Sequence, residues 1–210
     1  MRRTAREICQ LAAVIPVLVI KSLDTAKPLA QALVAGGLPA LEVTLRTPVA
    51  LDVIRAMSDV QGGVVGAGTL LSPQDVKQAK AAGAQFGVSP GITDSLLKAA
   101  QDYDLPLLPG AATASEVMYL LEQGYDTLKL FPAEAVGGIN LLKSLGAPLP
   151  QAKFCPTGGI NLNLAPHYLA LSNVLCVGGS WIAPDNLIAQ GDWVGIESLA
   201  RAASQLKPSE

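Results

Sequence analysis

A lysine lies inside an apolar segment of the kind that forms buried strands. Lys129 is flanked by Leu128 and Leu130, and Phe131 follows in the same run. A charged ammonium in such a strand is costly unless it is paired or gives up its proton, and burial favours the uncharged form of a lysine. An uncharged lysine amine is a nucleophile that can form a Schiff base with a ketone or an aldehyde. The segment therefore predicts a lysine that performs covalent chemistry.

A second apolar segment carries polar side chains at every other position. Glu42, Thr44 and Arg46 alternate there with aliphatic residues. Alternate residues of a strand point to the same face, so we expect these three side chains to point the same way. A carboxylate and a guanidinium on a buried strand, together with the buried lysine, indicate a catalytic interior. A structural ion pair between Lys129 and Glu42 is the alternative, because buried pairs need not be catalytic.

The composition is that of one globular domain with little charge. The chain has 210 residues, of which 50% are hydrophobic and 15% are charged, against roughly 25% charged in average proteins. This length fits a single domain over residues 1–210. With so few charged residues to cover the surface, we expect some apolar surface to be buried between the subunits of an oligomer. The formal net charge of −2 argues against nucleic acid as a partner.

The cysteines and the N-terminal segment both favour a cytoplasmic protein. Cys9, Cys155 and Cys176 are far apart and odd in number, which is typical of reduced core thiols rather than of a disulfide framework. An apolar run near the N-terminus loosely resembles a signal peptide, but Glu7 and Pro16 interrupt the pattern. The run is also too short to span a membrane. We therefore expect no membrane association.

A short apolar strand followed by an amphipathic helix recurs along the whole chain. Such strict alternation predicts a parallel sheet covered by helices. Eight units of about 25 residues suit a compact (β/α)8 TIM barrel, here preceded by an N-terminal helix. An open doubly wound α/β sheet is the alternative, although the G-x-G-x-x-G fingerprint that usually follows its first strand is missing. The predicted strands are residues 14–20, 40–45, 64–67, 85–89, 106–108, 127–131, 153–156 and 175–178. The predicted helices are residues 4–13, 25–35, 48–60, 73–82, 93–101, 115–123, 139–145, 162–171, 184–190 and 195–205.

Capping residues mark several of the predicted helix boundaries. Thr47 and Ser72 each precede a proline, as residues at helix N-termini often do. Gly37, Gly83 and Gly124 follow predicted helices, where glycine commonly ends a helix.

Polar and glycine residues cluster where the predicted strands end. In barrels of this kind the active site lies at the carboxyl ends of the strands, and the loops after the seventh and eighth strands frequently bind phosphate through backbone N–H groups. Gly158 and Gly159 follow the predicted seventh strand, and Gly178, Gly179 and Ser180 follow the eighth. The two glycine pairs together predict a phosphate site, and Ser180 can add a hydroxyl donor.

Metal-dependent chemistry is poorly supplied by this sequence. The single histidine, His167, lies in a predicted helix, and the cysteines lack the spacing of ligands. A catalytic zinc site usually needs about three protein ligands, so we expect no metal. Lys21 ends the first predicted strand and is the rival to Lys129 at the carboxyl end of the barrel.

Six motifs carry most of these residues: LEVTLRT, VGAGT, FGVSPG, LKLFPAE, FCPTGGI and CVGGSW. In this order and over nearly the whole chain they closely resemble the 2-keto-3-deoxy-6-phosphogluconate (KDPG) aldolases, which often also act on 4-hydroxy-2-oxoglutarate (KHG). The resemblance implies a class I, Schiff-base aldolase on a homotrimeric (β/α)8 barrel. It also implies a small keto-acid as substrate and no cofactor.

The resemblance implies a role for each site residue. Lys129 is then the Schiff-base lysine and Glu42 is the acid and base. The substrate-binding residues implied by it are Arg46, Thr69, Pro90, Phe131 and Thr157, the last at a position associated with stereochemical preference. The phosphate-binding residues implied by it are Gly158, Gly159, Gly178, Gly179 and Ser180. Val136 departs from the family pattern, which often has asparagine there.

Three other functions fit parts of the pattern. One is a sister aldolase that acts on 2-keto-3-deoxy-6-phosphogalactonate. Another is a pyridoxal-phosphate enzyme, which would also use a lysine and a phosphate site on a barrel. The third is a non-catalytic barrel that binds phospho-sugars without turnover.

Overall fold

Strands and helices alternate along the chain in the computed structural model, which describes residues 3–206. Strands β1 to β9 are Val14–Leu18, Ala40–Thr44, Val64–Gly68, Phe86–Val88, Leu107–Leu108, Gly110–Ala111, Thr127–Leu130, Lys153–Pro156 and Val177–Gly179. Helices α1 to α10 are Ala5–Cys9, Ala26–Ala35, Ala50–Ser58, Pro73–Ala81, Asp94–Asp102, Ala114–Glu122, Gly138–Gly146, Ala165–Leu169, Asp185–Gln190 and Trp193–Ser204. Short 3-10 helices span Leu23–Thr25 and Glu134–Val136. The other residues of the predicted 1–210 domain lie outside the described range.

The strands form two parallel sheets. One has the strand order β5-β4-β3-β2-β1-β9, and the other has the order β6-β7-β8. Single bridges pair Phe154 with Val174 and Thr157 with Gly178, and they connect β8 to the segment that contains β9. The predicted parallel α/β architecture is confirmed. The regular hydrogen bonding, however, belongs to two curled sheets, whereas the sequence predicts one closed sheet.

The division between the two sheets falls at Pro109. The predicted strand at residues 106–108 appears as two short strands, β5 and β6, on either side of this proline. Proline has no backbone N–H and cannot continue the donor pattern of a ladder. The Pro109 carbonyl instead accepts a hydrogen bond of 2.8 Å from the Lys129 backbone N–H. β5 thus pairs with β4, and β6 pairs with β7.

The core has two parts because successive strand residues face opposite sides of the sheet. The larger part lies between the strands and the helices and includes Leu41 and Val43 from β2. The smaller part comes from the strands, the segments beside them and α1; it consists of Ile8, Cys9, Ile15, Ala40, Val64, Phe86, Val88, Leu108, Cys155 and Cys176. This second cluster fills the concave interior of the curled sheets, and α1 closes one end of it.

Side-chain caps explain several helix boundaries. Ser72 and Asp75 form a reciprocal capping box at the start of α4, which begins with Pro73. Such a box satisfies backbone N–H groups that have no partner inside the helix. Glycines in the left-handed conformation follow three of the helices: Gly37, Gly83 and Gly124, with φ of 92°, 95° and 83°. These predicted boundaries are therefore confirmed.

Several predicted helix boundaries are wrong; α8, for example, spans Ala165–Leu169 where the sequence predicts residues 162–171. The Thr47 hydroxyl donates to the Ile20 carbonyl at 2.7 Å instead of capping a helix, and α3 begins at Ala50. The N-terminal helix ends at Cys9, whereas the sequence predicts it over residues 4–13. It stops early because the Ala13 carbonyl already accepts a hydrogen bond of 2.9 Å from Val177, next to β1.

The cysteines and the histidine differ in their exposure to solvent. The three cysteines are buried free thiols, as predicted. His167 lies on α8, a helix as predicted, and is exposed. Within residues 3–206, no helix combines the length and the apolar character needed to cross a membrane.

Candidate active site

The predicted site residues meet around one cavity at the carboxyl ends of the strands. The cavity has a volume of about 420 Å³. Its lining residues are Val17, Val19, Arg46, Thr69, Pro90, Lys129, Phe131, Thr157, Gly158, Gly159, Ile160, Gly178, Gly179 and Ser180. Of the predicted residues, Glu42 alone is not part of this lining, and it contacts Lys129 directly.

Lys129 and Glu42 form a buried pair across the interior of the curled sheets. The Lys129 Nζ lies 3.2 Å from the Glu42 Oε1, and the two residues are 4% and 3% exposed. They lie on β7 and β2, which belong to different sheets. An amine and a carboxylate within hydrogen-bond reach can exchange a proton directly. The pair therefore has the geometry of a nucleophile beside an acid and base.

Gly68 makes room for the Glu42 carboxylate. The register of β2 and β3 pairs Thr44 with Gly68, and a Cβ atom at Gly68 would lie only 2.3 Å from the Glu42 Oε1. A larger residue at the end of β3 would push the carboxylate away from Lys129. The second glycine of the VGAGT motif, Gly68, is thus needed so that the Glu42 carboxylate can lie beside Lys129.

Arg46 and Thr69 form a polar wall of the cavity. The Arg46 Nε donates to the Thr69 hydroxyl at 3.2 Å, which leaves the terminal nitrogens of the guanidinium for another acceptor. Thr69 has φ of 62°, a left-handed conformation that is unfavourable for a residue branched at Cβ. The loop after β3 holds this conformation and keeps the hydroxyl beside Arg46. Guanidinium groups bind planar carboxylates through two parallel hydrogen bonds.

Phe131 and Pro90 form an apolar wall next to the amine. The Lys129 Nζ lies 5.2 Å from the centre of the Phe131 ring, within the range of a cation–π contact. Phe131 follows β7 and Pro90 follows β4. Both therefore lie at the same edge of the sheets as the polar wall.

The loop after β8 presents an unpaired backbone donor, the Gly159 N–H, to the cavity. Gly158 and Gly159 have φ of 107° and 81°, which glycine adopts without steric penalty. The Thr157 carbonyl accepts from the Ala133 N–H at 2.9 Å, and the Gly158 carbonyl accepts from the Glu134 N–H at 3.1 Å. The N–H of a trans peptide points opposite to its C=O, so the Gly158 and Gly159 N–H groups point away from residues 133 and 134. The bridge with Gly178 directs the Gly158 N–H towards the Gly178 carbonyl. The Gly159 N–H has no backbone acceptor within the described residues, and such a donor suits an anion.

The end of β9 and the residue after it lie beside this donor. Thr157 forms a bridge with Gly178, and a Cβ atom at Gly178 would approach the Thr157 Oγ1 to 2.2 Å. The glycine thus allows the two strand ends to come together. Gly179 and the exposed Ser180 continue the same wall of the cavity.

Three thiols converge next to the lysine. Cys155 is the register partner of Lys129 on the neighbouring strand. Hydrogen bonds with Cys176 and Cys9 lower the pKa of the Cys155 thiol, and the nearby Lys129 ammonium lowers it further. Hydrogen bonding to Cys155 raises the pKa of Cys176. The thiols thus fill the interior between the lysine and α1 without lining the cavity.

Two other residues singled out by the sequence lie outside the cavity. The Thr44 hydroxyl is buried and donates to the Leu18 carbonyl at 2.9 Å. Lys21 is exposed and pairs with Asp185 at 2.6 Å. The geometry therefore favours Lys129 over Lys21 as the nucleophile.

A larger groove beside α1 does not compete as a reaction site. It has a volume of about 690 Å³, and its charged lining residues are Arg3, Arg6, Asp104 and Asp126. Arg6 pairs with Asp126 at 3.5 Å. Opposite charges are balanced there, and the buried amine and its carboxylate lie in the smaller cavity.

Three apolar cavity residues are absent from the sequence prediction. Val17, Val19 and Ile160 line the cavity, but aliphatic residues in and beside strands look the same whether they face a core or a ligand. The two valines are two positions apart, and this spacing is the one signal that places them on a common face.

The described residues contain no group of three or more histidine, cysteine, aspartate or glutamate side chains arranged to hold a metal ion. The positive and donor groups of the cavity suit an anionic organic ligand instead. Arg46 lies on one wall, and the glycine donors lie on another.

The chain belongs to the KDPG and KHG aldolase family, whose family model matches residues 5–199. It is 48% identical over 203 residues to the KHG/KDPG aldolase of Escherichia coli K12, covering 96% of this chain and 95% of that one.

Two solved structures extend the comparison to three dimensions. The KDPG aldolase of Zymomonas mobilis ZM4 with 3-phosphoglycerate has a TM-score of 0.93 and 50% identity, covering 97% of this chain and 96% of that one. The KDPG aldolase of Legionella pneumophila, with pyruvate captured at low pH as a covalent carbinolamine intermediate, has a TM-score of 0.94 and 47% identity. That match covers 97% of this chain and 99% of the other.

Proposed function

We propose that this protein is a metal-independent Schiff-base aldolase, a lyase that cleaves KDPG to pyruvate and glyceraldehyde 3-phosphate. It also cleaves KHG to pyruvate and glyoxylate. The observation that carries the proposal is the buried contact of 3.2 Å between the Lys129 amine and the Glu42 carboxylate. Its family relatives, one with pyruvate captured covalently and one with 3-phosphoglycerate, support the same chemistry.

The reaction begins when Lys129 passes a proton to Glu42 and the resulting neutral amine attacks the C2 ketone of the keto-acid. Glu42 moves the protons that allow water to leave, and a protonated imine remains. This cation accepts electrons from the neighbouring C3–C4 bond. Glu42, directly or through a water molecule, removes the proton of the C4 hydroxyl, and the bond breaks. The aldehyde leaves, and protonation of the enamine at C3 followed by hydrolysis releases pyruvate and restores the amine.

The two polar walls bind the two ends of the substrate. Arg46 binds the carboxylate next to the ketone, and Thr69 holds the guanidinium in place through the 3.2 Å hydrogen bond. The unpaired Gly159 donor and the backbone of Gly158, with Gly178, Gly179 and Ser180 beside them, bind the phosphate at the other end. Pro90 and Phe131 close the space around the imine, and Thr157 contacts the part of the substrate that sets stereochemical preference. Binding at both ends orients the reacting carbons.

Each chain forms one domain, a closed (β/α)8 barrel. β5 and β6 act as one strand interrupted by Pro109, and the bridge from Thr157 to Gly178 supports closure between β8 and β9. The protein is a homotrimer in the cytoplasm. Exposed apolar residues such as Leu71 and Met118, 63% and 53% exposed, supply area for contacts between subunits, and the three free thiols suit a reducing compartment.

The three alternative functions differ in their substrate, in their colour or in whether they release pyruvate. A 2-keto-3-deoxy-6-phosphogalactonate aldolase would prefer the C4 epimer of KDPG. A pyridoxal-phosphate enzyme would carry a yellow chromophore, and a binding protein would hold the sugar acid without releasing pyruvate.

The direct test is to measure pyruvate release from KDPG, its C4 epimer and KHG by the purified protein, with and without EDTA. We expect the highest kcat/KM for KDPG, measurable cleavage of KHG and full activity in EDTA. A higher kcat/KM for the epimer would assign the protein to the galactonate series. Loss of activity in EDTA with recovery on adding a divalent metal would contradict the Schiff-base mechanism.

A further inference from the structure

We propose that Glu134 and Tyr168 are positioning residues that hold the glycine loop after β8 in the conformation that binds phosphate. This inference rests on the proposed function, because it concerns the phosphate end of the same cavity. Neither residue lines the cavity, and neither is predicted from the sequence as a site residue.

Glu134 contacts the back of the glycine loop in two ways. Its backbone N–H donates to the Gly158 carbonyl at 3.1 Å, which fixes the peptide plane between Gly158 and Gly159. Since C=O and N–H point in opposite directions in a trans peptide, this bond turns the Gly159 N–H towards the cavity. The side chain also touches the loop, because a Cβ atom at Gly159 would lie 2.7 Å from the Glu134 Cγ.

Tyr168 determines where the Glu134 side chain lies. The Tyr168 hydroxyl donates to the Glu134 Oε1, and Tyr168 is fully buried on α8. A buried hydroxyl without a partner is unfavourable, so the carboxylate is retained beside it. Gly138 allows the approach, because a Cβ atom there would lie 2.5 Å from the hydroxyl and 2.9 Å from the Glu134 Oε1.

The contact with Tyr168 also limits electrostatic repulsion between the Glu134 carboxylate and a bound phosphate. Glu134 is exposed and adjoins a loop whose proposed ligand is a phosphate dianion. A freely rotating carboxylate in this position would repel that ligand. The hydrogen bond from Tyr168 keeps the carboxylate behind the loop, and the phenol O–H stabilises its negative charge there. Tyr168 thus supports phosphate binding through both the shape and the charge of the loop.

The test compares Tyr168→Phe with the wild-type protein on KDPG and on KHG, which has no phosphate. A hydrogen bond to a charged group contributes about 1.5–3 kcal/mol. Because Tyr168 acts on the phosphate only through Glu134 and the loop, a smaller share of this reaches phosphate binding, roughly two- to tenfold at about 1.36 kcal/mol per tenfold. We expect KM for KDPG to rise by about that factor, with kcat nearly unchanged. Both parameters for KHG stay close to the wild-type values. Trapping of pyruvate at Lys129 by borohydride stays complete, which shows that the variant is folded.

Tyr119→Phe is the matched control. The Tyr119 hydroxyl also donates to a carboxylate, that of Asp94, but it links α6 to α5, and neither residue lines the cavity. This variant loses the same chemical group, and we expect it to leave KM for KDPG unchanged.

Two variants of Glu134 separate positioning from general packing. Glu134→Gln keeps an oxygen that accepts from Tyr168, and we expect its KM for KDPG to stay within about twofold of wild type, near the lower limit for one hydrogen bond. Glu134→Ala removes the acceptor and the contact with Gly159, and we expect a KM at least as high as that of Tyr168→Phe. A Gln variant as impaired as the Ala variant would overturn the inference.

The remaining outcomes are distinguishable from failure of the proposed function. Equal losses on both substrates in Tyr168→Phe, or no change in KM for KDPG, overturn the positioning role while the aldolase assignment stands. A wild-type protein that does not cleave KDPG at all overturns both.

Discussion

At the scale of single residues, the pairing of Glu42 with Lys129 is the feature on which the proposed chemistry depends. Glu42→Gln keeps the shape of the side chain and removes its ability to take a proton. Positioned acids and bases typically contribute about 10²–10⁴ in rate, and we expect kcat on KDPG to fall within that range while the fold is retained. Steady-state kinetics and circular dichroism on the same preparation measure both properties.

The control for this substitution is Glu122→Gln, at an exposed position at the end of α6. It changes the same functional group away from the cavity and should leave kcat unaltered. A loss smaller than tenfold in Glu42→Gln would reduce Glu42 to a structural partner of the lysine.

The sequence reveals residues of this kind because their types conflict with their surroundings. Lys129 and Glu42 are ionisable residues inside apolar strands, and such conflicts are rare unless the groups have a function. Val17, Val19 and Ile160 give no such signal, since an aliphatic residue fits a core as well as a cavity wall. Tyr168 and Glu134 are equally inconspicuous, because a helical tyrosine and an exposed glutamate are ordinary until their contact is seen.

At the scale of elements, the loop after β8 can be tested through its backbone. Gly159→Ala places a Cβ atom 2.7 Å from the Glu134 Cγ, at a φ of 81°. The loop must shift, and the Gly159 N–H then no longer points to the phosphate position. A lost hydrogen bond to a charged group costs about 1.5–3 kcal/mol, so we expect kcat/KM for KDPG to fall roughly ten- to a hundredfold. Cleavage of KHG should change much less.

Gly124→Ala separates this effect from ordinary backbone strain. Gly124 has a nearly identical φ of 83°, but nothing lies within 4 Å of a Cβ atom there. Each variant pays about 1–2 kcal/mol for the left-handed conformation, visible in denaturant unfolding. The function of the loop is contradicted if Gly124→Ala lowers kcat/KM for KDPG as much as Gly159→Ala does.

The contact between α8 and the Glu134 segment predicts a dependence of stability on pH. Burial and the Glu134 carboxylate raise the pKa of Tyr168 above the usual value of about 10. Above that pH the unfolded chain releases a proton that the folded chain keeps. The stabilisation is therefore complete below about pH 10 and declines as the pH rises further. We expect the unfolding free energy of the wild type to fall more steeply in alkali than that of Tyr168→Phe.

Urea unfolding of both proteins, measured from neutral to strongly alkaline pH, checks this prediction. Tyr119 and Tyr125 also have raised pKa values, but they are present in both proteins and cancel in the difference. Parallel curves throughout the alkaline range would show that the Tyr168 proton is not held by the fold.

The order of elements is predictable because each strand and helix has its own periodicity, whereas the exact boundaries depend on tertiary contacts. Ser72 forms the expected cap, but the Thr47 hydroxyl bonds to Ile20 across the sheet instead. The helix at the N-terminus stops early for a similar reason, since Ala13 already pairs with the β9 segment. The split at Pro109 follows from a missing backbone donor. Which sheet each half of the strand joins, however, depends on the neighbouring strands β4 and β7.

At the scale of the whole molecule, curvature brings the site together. Lys129 and Glu42 are 87 positions apart and lie in different sheets, yet their side chains meet in the interior. The glycine loops and the Arg46 wall lie at the same edge because all strands run parallel. The sequence predicts this edge from the alternation of strands and helices. The distances that make a reaction possible come only from the packed fold.

The central claim is that Lys129 forms a covalent imine with the keto-acid. Borohydride reduction in the presence of pyruvate, followed by intact-mass and peptide mass analysis, tests it most directly. The account predicts one reduced pyruvyl group per chain, located on Lys129, with loss of activity in proportion to labelling. Lys129→Ala should acquire no label and show no cleavage. A label on Lys21, or an active enzyme that acquires no label, would contradict the account.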